Sequence, residues 1–312
     1  VQWLPEKANW NKQVANSLKE LIENAYVSGK FSYSTFRRSY PFVAVAGTWI
    51  DLSMASGGPP ANYYLGEPLM AYIPTNWFYK SIWHGAAVAP AKKYLHKICM
   101  LCTGAGGAPA PFILCDYLMY YMLIDMDSTE EQFFINYGPV ATPVLDPLAA
   151  VLPRYTDGVG VQAFLVATNP YVGGQSFQIR YTNTNDVADR YSQVQVANTS
   201  TNIGTLLHSG TTGVNWFGSP FIHLAPGDRG IKSVQSIQFF GVTGGLGALV
   251  LAKPIVTLMT REVTAWAEFD FINDKPTIPR IYDGAYLNLL ANPTATMATV
   301  PTIGEITTIW GD

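Results

Sequence analysis

The chain has 312 residues, with 19 basic side chains against 22 acidic ones and a formal net charge of −3. Charged residues make up 13%, about half the roughly 25% usual in globular domains, while hydrophobic residues reach 48% and aromatics 13%. That balance excludes a disordered tail and a heptad coiled coil, argues against a nucleic-acid binder, and leaves a folded, neutral chain of two domains or one large β-rich one.

Val1 to Trp10 hold no apolar run of signal-peptide type. Residues 11–27 read as an amphipathic helix. Val14, Leu18, Leu21, Ile22, Ala25 and Tyr26 form one stripe at helical spacing, and Lys12, Lys19, Glu20 and Glu23 lie off it. Asn9 or Asn11 caps its start and Gly29 stops it. Such a stripe packs on the body of the protein or on a neighbouring subunit.

Beyond Phe31, glycines and prolines recur too often for long helices. Short β-type runs are predicted at 42–46, 94–102, 112–115, 161–167, 177–181, 191–196, 234–240, 248–251 and 255–259. In 176–181 Phe177, Ile179 and Tyr181 oppose Ser176, Gln178 and Arg180. In 191–196 Tyr191, Gln193 and Gln195 oppose Ser192, Val194 and Val196. The polar members are mostly Gln, Ser, Thr and Asn. A second short helix is predicted over 129–137, with Ser128 and Glu131 as a capping box and Gly138 and Pro139 as its stop. Residues 233–252 carry no charge and are long enough to span a bilayer. Their glutamines and four glycines, Gly241, Gly244, Gly245 and Gly247, instead indicate two strands around a Gly-rich turn.

Residues 152–158 and 278–284 echo one another. Pro153, Arg154, Asp157 and Gly158 correspond to Pro279, Arg280, Asp283 and Gly284. Asp-Gly favours a tight turn because glycine accepts positive φ. The echo reads either as two independent turns or as two related β modules. The predicted class is mainly β: one or two antiparallel, jelly-roll-like β-sandwich modules with an N-terminal amphipathic helix. The segments are an arm and helix over 1–40, a first β-rich module over 41–150 and a second sandwich over 151–312.

Candidate chemistry is sparse. His96, Cys99, Cys102 and Cys115 have zinc-type spacing, but a strand turns residues three apart to opposite faces, and no second C-x-x-C follows. The run 125–131 starts like a calcium loop but has Glu130 and Asn136 where Gly and Glu are required. Gly104 to Gly107 lack the following helix that a phosphate loop needs. No nucleophile-elbow, P-loop or zincin motif occurs. The sequence therefore predicts no enzyme, no cofactor and no metal. Tyr63, Tyr64, Trp77, Tyr79 and Trp83 cluster and suit either a subunit interface or sugar stacking. A hydrolase would need paired carboxylates such as Asp116 and Asp125.

Several phrases resemble those of virion structural proteins of tailed bacteriophages. They begin at Gly47-Thr48-Trp49-Ile50-Asp51-Leu52 and Pro59-Pro60-Ala61-Asn62-Tyr63-Tyr64, and continue through 115–127 and 152–158. The last are Leu224-Ala225-Pro226-Gly227-Asp228-Arg229-Gly230 and 278–285. The resemblance implies a non-enzymatic component of the virion, partnered by other virion proteins. Low charge adds the expectation of a homo-oligomer joined through neutral β-faces, without nucleic acid or membrane. A capsid-associated decoration or minor capsid protein is the leading expectation, and a tail-tip or tail-fibre glycan-binding receptor is the alternative.

Overall fold

The computed structural model describes residues 17–39, 45–54, 66–74, 81–104, 107–137, 143–144, 152–199, 202–207, 218–271, 277–296 and 301–311. These form one α-helix, α1 (Leu18–Val27), and strands β1 (Phe31–Ser39), β2 (Ile50–Asp51), β3 (Ala71–Tyr72), β4 (Lys92–Cys102), β5 (Ala110–Asp125), β6 (Gln132–Phe133), β7 (Asn136–Tyr137), β8 (Pro143–Val144), β9 (Gln162–Ala167), β10 (Ser176–Asn183), β11 (Arg190–Tyr191), β12 (Gln195–Val196), β13 (Ile231–Phe239), β14 (Leu246–Thr260), β15 (Ala267–Asp270), β16 (Arg280–Ile281), β17 (Leu287–Ala291) and β18 (Pro301–Gly311). The fold is mainly β, as expected, and its named strands pair antiparallel.

Helix α1 begins later than predicted. Ser17 caps it, its hydroxyl accepting the Glu20 N–H at 3.1 Å, and residues 9 and 11 lie outside the described part. Gly29 ends it at φ +69°. The Gly29 N–H reaches the Tyr26 carbonyl and the Lys30 N–H the Ala25 carbonyl, a Schellman close. Ile22 and Ala25 are buried against Ile309 of β18.

A central sheet, ordered β2–β17–β5–β14–β9 with β3 also on β5, organises the core. Its backbone is the long β5–β14 pair, running from Leu246↔Asp125 to Thr260↔Ala110. The predicted runs 248–251 and 255–259 are one strand. Three register shifts interrupt it: two leave an extra residue on β5, one between Tyr121 and Ile124 and the other at Leu118, and the third leaves Ile255 extra on β14, beside Pro254. These bulges keep the inward set on one face along the whole pair.

That face carries two other sheets side by side. Toward one end Phe112, Leu114, Val256 and Leu258 pack on Leu95, Ile98, Met100 and Ile306 of the sheet β1–β18–β4–β15, where β16 also joins β4. Toward the other, Met119, Tyr121, Leu249 and Leu251 pack on Phe177, Ile179, Val234 and Ile237 of the sheet β11–β10–β13–β6, where β12 joins β10. The opposite face of the central sheet buries Tyr117, Tyr120, Phe164 and Val250 with Trp49 and Leu206. The result is two sandwiches sharing one sheet. Strands from 41–150 and 151–312 interleave in all three larger sheets: β5 pairs with β14, β4 with β15 and β18, and β6 with β13.

Two local expectations fail, and a third lies mostly outside the described residues. Residues 129–137 are not helical. The Ser128 hydroxyl accepts the Glu130 N–H, two residues on, and Glu131 turns to Arg180 and Ser236 instead of capping. Phe133 pairs with Ser236, so sheet formation outcompetes the capping box. The run 191–196 does not alternate: Ser192 and Gln195 are buried while Val194 and Val196 are exposed. Of the run 42–46, only Val45 and Ala46 are described, and neither is in a strand.

Candidate assembly surface

The outer face of the β11–β10–β13–β6 sheet is built by alternation. Phe177, Ile179 and Tyr181 point into the core, as their spacing predicts, so Ser176, Gln178 and Arg180 point out. Pairing sets their neighbours. Val196 stands opposite Ser176 on β12, and the Phe240 N–H meets the Ser176 carbonyl on the other side at 2.8 Å. Gln178 is opposite Gln238. Arg180 lies between Tyr191 and Ser236, and Ser236 is opposite Phe133. The face thus carries rows of Val196–Ser176–Phe240, Gln178–Gln238 and Tyr191–Arg180–Ser236–Phe133.

Val196, Phe240, Tyr191 and Phe133 are 48–58% exposed. Arg180, the one cation in these rows, is neutralised by Glu131 at 3.3 Å and Asp189 at 3.5 Å, and its guanidinium lies 5.2 Å from the Phe133 ring centre. Apolar corners around neutral amides with an internally paired charge make a surface with little to lose on desolvation.

The outer face of the β1–β18–β4–β15 sheet differs. Lys97 pairs with Glu268 at 2.9 Å, and Glu305, Asp270 and Arg37 lie nearby. Burial and the Glu305 carboxylate push the Cys99 thiol up to about 11, so it stays protonated. Of these two outer faces among the described residues, the β11–β10–β13–β6 sheet carries the neutral rows and this one carries charged side chains.

The two P-R-x-x-D-G segments meet at the seam where the central sheet passes from one sandwich to the other. Asp116 is fully buried there, opposite Lys253 in register. Arg154 grips it through Nε at 2.8 Å and Nη2 at 2.7 Å, and the Tyr286 N–H adds a bond at 2.9 Å. Burial pushes the Asp116 carboxyl up against the pull of Arg154. The Tyr155 and Tyr282 rings meet edge-on at 5.1 Å. The copies perform different tasks. Arg280 is exposed over the Tyr282 ring. Asp157 accepts the Val159 N–H in its own turn, whereas Asp283 accepts the Val88 and Ala89 N–H groups and the buried Lys93 ammonium at 3.1 Å. Gly158 has φ +72°, and Gly284 avoids the left-handed region. Pro153 and Pro279 precede the two arginines, both half-buried.

Of the aromatic cluster, Tyr63, Tyr64, Trp77 and Tyr79 lie outside the described residues. Trp83 is half-buried, stacked on His84 with ring centres 6.3 Å apart. Asp125 ends β5 in the open, nine positions or about 30 Å along the strand from Asp116, too far for a carboxylate pair. His96 bonds the Tyr26 hydroxyl at 2.9 Å, Cys102 meets Thr302, and Cys115 belongs to the opposite face of the central sheet. Among the described residues no group of three or more His, Cys, Asp or Glu side chains is placed to hold a metal. Among them, too, no helix is long and apolar enough to cross a membrane.

Sequence reasoning found Gln178 and Arg180 through their alternation. It missed Phe133, assigned to a helix, and it placed Phe240 at the end of a predicted strand without assigning it a face; Phe240 lies one residue past the end of β13.

No family model matches the chain, and no curated protein matches it. Among solved structures, that of the infectious bursal disease virus Gt strain aligns at TM-score 0.17 and 9% identity, over 90% of this chain and 80% of that one. The Gx strain structure aligns at 0.18 and 9%, over 90% and 79%. The crystal structure of the infectious bursal disease virus VP2 subviral particle aligns at 0.16 and 9%, over 89% and 80%. Superpositions at such scores do not establish a shared fold, and nothing about the role of this chain follows from them.

Proposed function

We propose that the protein is a non-enzymatic virion structural component that assembles through neutral β-sheet faces. The observation that carries the assembly reading is the outer face of the β11–β10–β13–β6 sheet, with Val196, Phe240, Tyr191 and Phe133 half exposed around Gln178 and Gln238. Burying the exposed half of each large apolar side chain contributes about 1 kcal/mol, and symmetry multiplies that at every repeated contact. The virion setting rests on the resemblance of its recurring phrases to tailed-phage virion proteins. Within it, a capsid-associated decoration or minor capsid role suits a face of this kind.

The test is association. Light scattering of the purified chain should show a mass above the monomer at low micromolar concentration, and the chain should co-sediment with assembled particles. Val196→Lys combined with Phe240→Lys should weaken both while leaving the melting temperature nearly unchanged, because neither side chain is in the core. A strictly monomeric chain that ignores particles and binds a glycan array instead would favour the receptor alternative.

A further inference from the structure

Strand β1 ends its sheet. It pairs with β18 from Phe31↔Ile309 to Ser39↔Pro301 without a register shift. Among the described residues no strand pairs with its other edge. An open groove of about 340 Å³ runs beside it, lined by residues 33–38 with Ser81 and Trp83. An extended, regular edge is a template for another strand. The devices that blunt such edges are missing from the body of β1: it has no proline, glycine or lysine, and its two arginines sit near its end. The opposite edge of the same sheet is protected, since β15 is four residues long and carries Glu268 and Asp270.

We propose that β1 of a second copy of this chain adds to this edge, antiparallel, about a two-fold axis at Thr35. The inference rests on the assembly reading and names one contact of that assembly. All nine residues of β1 can pair with themselves in one antiparallel register only, with Thr35 opposite Thr35. That register sets Arg37 opposite the partner's Tyr33 twice, and Arg38 opposite the partner's Ser32, so no like charges face each other. Tyr33, Thr35 and Arg37 are all exposed on the same face. In that register each Tyr33 ring can meet the Arg37 guanidinium of the other copy.

Cysteine substitution reads the register. Opposed Cα atoms in an antiparallel pair lie about 4.5–5.5 Å apart, within disulfide reach. Oxidised Thr35→Cys should run as a covalent dimer. Tyr33→Cys should not, because its two copies are offset by four residues, about 13 Å. The nearest native thiol in register, Cys99, is buried and two strands away. Thr35→Lys sets two ammonium groups face to face and should raise the dimer Kd about tenfold or more, with unchanged circular dichroism and melting. Cross-linking of Tyr33→Cys as readily as Thr35→Cys, or association indifferent to Thr35→Lys, overturns strand addition. The assembly reading survives that result if Val196→Lys with Phe240→Lys still weakens association. A wild-type chain that is monomeric at every concentration overturns both.

Discussion

Gly158 and Gly284 occupy the same place in the echoed segments, yet the backbone asks different things of them. At Gly158, φ is +72° and an added Cβ would lie 2.7 Å from the Ile231 carbonyl oxygen. At Gly284 the nearest atom is the Arg154 guanidinium at 3.7 Å, an ordinary contact. Gly158→Ala should therefore cost about 2 kcal/mol or more in urea unfolding, and Gly284→Ala less than about 0.5 kcal/mol. Equal losses would mean that the two turns are conformationally equivalent after all. His84 offers a second residue-scale test. Burial, then the neighbouring Lys93 ammonium, pulls its pKa down from 6.5 to about 4. Between those values the unfolded chain binds the proton and the folded chain does not. Stability should thus fall by about 3 kcal/mol as pH drops from about 6.5 to about 4, with no further loss from this group below that. Asp283 is held below the usual carboxylate range, despite its burial, by Lys93 and two N–H groups, so its contribution disappears only at still lower pH. His96, lowered by burial, acts in the same direction as His84. The diagnostic quantity is therefore the difference between wild type and His84→Gln, whose stability curve should be flatter over that range.

At the scale of elements, strand pairing overrides local preference. Gly304 sits mid-strand in β18, where propensity alone favours a β-branched residue. Pairing places it opposite Phe36, whose ring would lie 2.2 Å from an added Cβ. Gly304→Val should lower the melting temperature, at a cost of about 1–3 kcal/mol from overpacking; a gain would show that the ring can swing aside cheaply. The same dominance of pairing explains what was legible in the sequence. The alternation at 176–181 was readable because β10 has one wet face and one dry one. Nearly the whole of β5 is buried on both faces, so it shows no alternation, and only its segment 112–115 was recognised. The capping box at Ser128 was a valid local signal that lost to a strand 105 residues away, since Glu131 found Ser236 and, on a nearer strand, Arg180.

At the scale of the whole molecule, the neutral face makes a claim about solution behaviour. The contact is built mostly from valine, phenylalanine, tyrosine and glutamine, and its one cation, Arg180, is already paired with Glu131 and Asp189 of its own chain. Its association should change little between low and high salt, as read by sedimentation velocity, whereas a contact through the Lys97–Glu268 face would weaken as salt rises. A steep salt dependence would move the interface to that second sheet. The order of residues along the chain established by itself a mainly β, charge-poor chain with little sign of catalytic chemistry, because those properties depend on residue types and short-range alternation. It also marked the P-R-x-x-D-G turns, because Asp-Gly is a local conformational signal. Where the charge deficit falls, how strands from both halves interleave in the three larger sheets, and why Arg154 is buried while Arg280 is exposed were decided only by the tertiary structure. Each depends on which distant strand lies alongside. That pairing is chosen by the packing of whole faces, which no window of neighbouring residues contains.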